Sequence, residues 1–167
     1  MQIETLYDVM QWTRNIHQRL HAFAAHCALT NDSERSGLLL EYISAHEQKM
    51  ALVIRQFEDN GNSNALNTYC RHYYEKTAIP FNTIGEHPFK RMDTDEIAMA
   101  TLEYHKNIVG LFEYLQNCSS APSVTEFLSN ILSLEEAECS GQVKLATVLE
   151  SFQYKRSDSF GVNPPLY

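Results

Sequence analysis

The chain has little of what marks many functional classes. Its four cysteines, Cys27, Cys70, Cys118 and Cys139, are scattered and form no CxxC pair, which excludes a disulfide framework or a zinc knuckle as its organising device. No run approaches the roughly 18 apolar residues that a membrane helix requires. The opening MQIETLYD lacks both the basic start and the apolar run of a secretory signal. Basic residues number 13 against 21 acidic ones, and the formal net charge of −8 disfavours a nucleic-acid backbone or an anionic membrane surface as partner. Nothing resembles a nucleophile elbow, a phosphate-cradling glycine loop or a nucleotide fingerprint. These absences predict a reduced, cytoplasmic globular domain with no nucleic-acid or membrane partner. At 167 residues it is long enough to bury a core without staples.

Glycine and proline are also scarce, six and five in all, and the five prolines fall outside four long segments of helical period. The first segment, 5–29, repeats Leu6, Val9, Thr13, Ile16, Leu20, Phe23 and Cys27, with Thr5 and Asp8 as a capping pair. The second, 34–58, carries Leu39, Leu40, Ile43, Met50, Val53, Ile54 and Phe57 and stops at Asn60-Gly61. The third, 95–117, opens on the capping box of Asp93 and Glu96. The fourth, 124–154, opens on Ser123 and Glu126. Short turns join helices one to two and three to four, whereas 59–93 is long and holds Pro80, Pro88 and a short helix over 65–76. The expected fold is therefore all-α: a four-helix bundle over 1–155 with one long crossover between helices 2 and 3. Residues 156–167, rich in Pro, Gly and Ser, form a tail outside the last helix.

The two helix pairs repeat. A shift of 88 residues places Val9 on Ile97, Thr13 on Thr101, Leu20 on Ile108, Leu40 on Leu128 and Ile43 on Ile131. The same shift places His17 on His105 and Glu47 on Glu135. A shift of 89 would instead pair Glu47 with Glu136 and Arg14 with Glu103, but periodicity puts Glu103 on an outer face. At about 100° per residue, Glu47 and Glu135 lie within the apolar faces of their helices, Glu138 lies near an edge, and His17 and His105 lie on inner flanks. Buried carboxylates need partners or a cation. Two imidazoles and three carboxylates at one level would suit two ions of iron or manganese, held by His17, Glu47, His105, Glu135 and Glu138. The same residues could instead form a satisfied His–Glu layer with no metal.

On these residues the chain resembles the ferritin-like superfamily, particularly rubrerythrin-like and other diiron-carboxylate bundles. The resemblance rests on two helix hairpins, a long crossover and carboxylates at matching places in each repeat. It implies a dinuclear intra-bundle site and oxygen-dependent redox chemistry or metal handling. Where that family carries Glu on the first helix of each hairpin, this chain has His17 and His105. Where it carries Glu-x-x-His, this chain reads Glu47-Gln48-Lys49-Met50 and Glu135-Glu136-Ala137-Glu138.

Other positions carry lesser expectations. His17 and His21 have the four-residue spacing of a surface zinc pair. Tyr42 and Tyr104 could donate to a ligand carboxylate. Trp12, Tyr7, Phe81, Phe89 and the tail aromatics could supply the interface of a homo-oligomer, a dimer. The alternative to a metal protein is such a dimer, metal-free, acting as a binding or regulatory module. No residue pattern points to a particular small-molecule substrate.

Overall fold

The protein is described here by a computed structural model over residues 3–70 and 89–158. It is all-α. Among the described residues four long helices, α1 (Leu6–Ala28), α2 (Glu34–Asn60), α4 (Thr94–Cys118) and α5 (Pro122–Asp158), are accompanied by the one-turn α3 (Ser63–Leu66). Among the described residues, none of these helices is long and apolar enough to cross a membrane.

Local chemistry sets most of the ends. The Thr5 hydroxyl accepts from the Asp8 N–H while the Asp8 carboxylate accepts from the Thr5 N–H at 2.8 Å, closing a reciprocal box that stabilises α1 by about 1 kcal/mol. Asp93 and Glu96 repeat the device on α4. Ser33 caps α2. The expected box of Ser123 and Glu126 does not form. Helix α5 begins two residues earlier, on Pro122, where a fixed φ and a missing N–H cost nothing, so Ser123 already lies inside it. Its far end also differs from expectation. The helix continues through Asp158, so 156–158 are helical, and the rest of the predicted tail lies outside the described residues.

The short helix expected over 65–76 is confined, among the described residues, to Ser63–Leu66, with the Asn62 side chain accepting from the Asn64 and Ala65 N–H groups. The chain then runs back along the start of α1: the Leu6 N–H donates to the Thr68 carbonyl at 2.9 Å, and the Cys70 N–H to the Glu4 carbonyl at 2.7 Å. Gly61, which ends α2, has φ −68°, so no left-handed turn requires it. A Cβ there would stand 2.4 Å from the Phe57 carbonyl oxygen and 2.9 Å from the Phe127 ring. Close approach demands this glycine.

Each hairpin is an antiparallel pair, α1 with α2 and α4 with α5, and the core lies between the pairs. That core falls into two apolar parts. One gathers Leu6, Val9, Met10, Ile16, Ile54, Ile108, Leu111, Phe112, Leu128 and Ile131. The other gathers Leu20, Ala24, Leu39, Leu40, Ile43, Phe89, Ile97 and Ala100. On α1, α2 and α4 the stretch between the two parts carries a fully buried titratable residue: His17, Glu47 and His105. Trp12 and Phe89, expected at an oligomer surface, are buried in these parts. Tyr7 is partly exposed, and Phe81 and the tail aromatics lie outside the described residues.

Candidate functional site

The layer between the two apolar parts is built by the repeat. One turn before each histidine a buried threonine turns its hydroxyl onto its own helix, Thr13 to the Val9 carbonyl at 3.0 Å and Thr101 to the Ile97 carbonyl at 2.8 Å. Both hydroxyls are thereby satisfied locally and do not compete for the side chains that follow. His17 Nδ1 lies 2.6 Å from Glu47 Oε2 within the first hairpin, and His105 Nδ1 lies 3.0 Å from Glu135 Oε2 within the second. The remaining atoms cross between the hairpins: His17 Nε2 to Glu135 Oε1 at 3.0 Å, and His105 Nε2 to Glu47 Oε1 at 2.9 Å. Four side chains, one from each long helix, close a ring in which every nitrogen meets one oxygen. The two imidazoles stand 5.4 Å apart, centroid to centroid. All four side chains are fully buried.

The electrostatics follow from that closure. Burial by itself would push the His17 imidazolium down, but the Glu135 charge and the hydrogen bonds of both carboxylates raise its pKa to about 9. His105 is raised well above 6.5 against the same burial, by Glu47 and Glu135. Burial would raise both carboxyls, yet the His105 and His17 charges and their hydrogen bonds bring Glu47 and Glu135 down to about 2. The ring thus holds two cations and two anions. Its four N–H donors match its four carboxylate oxygens, and its net charge is zero.

Four of the five expected site residues are brought together, and the fifth is not. Glu138 follows Glu135 by three residues, which turns it about 60° away around α5. There its Oε2 lies 3.0 Å from Nδ1 of His46 on α2. The expected surface pair of His17 and His21 does not exist either. His17 points into the ring, whereas His21 Nδ1 meets the carbonyl and hydroxyl oxygens of Ser44, both at 2.9 Å. Tyr42 packs on the His46 imidazole with ring centroids 4.2 Å apart. Glu103 and Glu136 are exposed, as the 88-residue register requires. Sequence reasoning missed two partners. His46 had as its only signal its place beside Glu47. The Arg14–Glu58 ion pair, 2.6 Å long with the Glu58 side chain almost fully buried, could have been sought at the helical phase of His17 and Glu47.

The donor set includes a group that could hold a metal ion. One ligand atom each from His17, His105 and Glu135 lie within 4.8 Å of one another. Imidazole nitrogen and carboxylate oxygen together suit a borderline divalent transition metal. Compared with known proteins, the chain matches no family model, no curated protein and no solved structure.

Proposed function

We propose that the chain is a metal-handling protein of ferritin-like, four-helix-bundle architecture, and that His17, Glu47, His105 and Glu135 hold one divalent ion, iron or manganese, at its centre. The observation that carries this reading is the convergence of one ligating side chain from each of four helices into a single fully buried layer. Such a layer is costly to bury unless something specific uses it.

Charge counting sets the stoichiometry. The ring is neutral with both imidazoles protonated, so one divalent ion that displaces one proton from each imidazole leaves it neutral. Two divalent ions on the same four side chains would leave two uncompensated positive charges where no solvent reaches. Glu138, which would offset one of them, is paired with His46. This reading therefore departs from the two-ion site of the family that the chain resembles. His17 and His105 each give up a proton to become ligands, and Glu47 and Glu135 exchange an N–H partner for the ion. Bound there, iron or manganese would supply one-electron redox chemistry.

The test is metal content by inductively coupled plasma mass spectrometry, on protein purified without chelators or a His tag. About one equivalent per chain, lost in Glu47→Ala/Glu135→Ala, is the expected result. Absence of metal after anaerobic loading with ferrous iron would refute the reading.

One observation favours a second reading. Each ring nitrogen and carboxylate oxygen already has a partner at 2.6–3.0 Å, so the layer is complete as a metal-free network. The protein would then be a homodimeric binding or regulatory module, with the ring enforcing a unique pairing of the hairpins. Light scattering on metal-free protein would find a stable dimer.

A further inference from the structure

The ring obeys the internal repeat and its surroundings do not. On one flank, between α2 and α5, His46 Nδ1 meets Glu138 Oε2 at 3.0 Å. The 88-residue shift replaces His46 by Leu134 and Glu138 by Met50, so the equivalent flank on the other side is apolar. The polar flank also grades from solvent to core. The His46 side chain is 34% exposed, Glu138 10% and Glu135, one turn along α5, 0%. His46 directly precedes Glu47, so each member of the pair is next to a ring carboxylate on its own helix. Among the described residues the His46 Nε2 makes no hydrogen bond, which leaves a ligating nitrogen toward the outside.

Two further features show that this flank is shaped. Tyr42, one turn before His46, lies on the imidazole at 4.2 Å and 32° and holds its plane. Its hydroxyl reaches across to α5: burial and the Glu138 charge push the phenol pKa up, and a Cβ built on Gly141 would meet nothing nearer than that hydroxyl at 4.0 Å. The repeat places Val53 opposite Gly141. The missing side chain at Gly141 thus leaves room beside the Tyr42 hydroxyl, where the repeat carries a valine.

From this asymmetry we infer that His46 and Glu138 form a one-sided portal, which captures a divalent cation at the surface between α2 and α5 and passes it to Glu135 and the buried ring. The inference rests on the reading of the ring as a metal site. His46 Nε2 and a Glu138 oxygen supply the first two protein ligands, exchanged for water at the partly exposed end. Glu138 is the last carboxylate before the layer that solvent does not reach. A route of this kind changes how fast the ion arrives and leaves, and leaves the stoichiometry of the ring unchanged.

The test is loading of chelator-stripped, full-length protein with cobalt(II) alone, followed by stopped-flow visible absorption and checked by equilibrium dialysis. The variant His46→Leu/Glu138→Met copies onto the polar flank the residues of the apolar one. It should slow both uptake and release at least tenfold, while the final content stays at about one ion per chain and the affinity moves little. His46→Leu alone, at a side chain already one-third exposed, repeats the test with no demand on the core, and Glu138→Asp in a His46 background should restore most of the rate. Unchanged rates with one ion bound would overturn the portal and leave the ring reading standing. Loss of the bound ion in these variants would also overturn it, by making the pair part of the ring site itself. No cobalt in the unaltered protein would overturn the ring reading, and the portal with it.

Discussion

Glu135→Gln keeps the volume of a ring side chain and turns one carboxylate oxygen, which accepts from an imidazole, into an N–H that faces one. In the metal-free protein Glu135 accepts from His17 Nε2 and His105 Nδ1, both at 3.0 Å. The amide oxygen still accepts from one imidazole, so one hydrogen bond to a charged group, about 1.5–3 kcal/mol, is lost outright. Breaking a buried ion pair by removing one partner costs about 3–5 kcal/mol on independent grounds, because a charge is left uncompensated. The two routes meet at about 3 kcal/mol, a large part of the 5–15 kcal/mol by which domains are stable. Replacing the whole ring, His17→Leu/Glu47→Met/His105→Leu/Glu135→Met, removes all charges together. That variant should be as stable as the parent or up to about 4 kcal/mol more so. Urea unfolding followed by circular dichroism at pH 6 with EDTA reads both, with similar slopes expected for all three proteins. A cost below about 1 kcal/mol for Glu135→Gln, or a quadruple variant weaker than the single one, would refute the assignment of buried, mutually compensating charges.

The pH dependence of the metal-free protein has two sides. His17, raised to about 9 from 6.5, contributes stability that is complete below about 6.5 and lost as pH rises toward 9, while Glu47 and Glu135, lowered to about 2 from 4.5, contribute stability present above about 4.5 and lost toward 2. Melting temperature should therefore peak between about pH 4.5 and 6.5, and a flat profile would contradict the ring. Metal loading near pH 7 should release about two protons per ion, measured by calorimetry in buffers of different ionisation enthalpy; zero release would mean that the imidazoles are neutral beforehand. Gly61→Ala should destabilise by about 1–3 kcal/mol, because its Cβ meets the Phe57 carbonyl oxygen at 2.4 Å. Gly110→Ala, exposed in mid-helix with nothing within 4 Å of the new Cβ, should stabilise by about 0.5–1 kcal/mol, and thermal melts of the two glycine variants give opposite signs.

The helices and their inward phase were legible in the amino-acid pattern. Periodicity and caps are local, so α1, α2 and α4 begin and end within a residue or two of expectation, and the 88-residue repeat correctly singled out His17, Glu47, His105 and Glu135 as buried. Where a local signal misled, a stronger local constraint had won: Pro122 took the first position of α5 ahead of the Ser123 cap. The partners of those side chains were set by packing between the hairpins. Whether an inward imidazole meets a carboxylate of its own hairpin, of the other hairpin or of both depends on how the two pairs pack face to face, and helical phase carries no such information. The same packing took Glu138 out of the ring, since a rotation of about 60° at a helix surface separates a side chain that faces the centre from one that faces a neighbouring helix. It also placed His46 against Glu138, two residues 92 apart in the chain, and so made one flank of the ring polar and the other apolar.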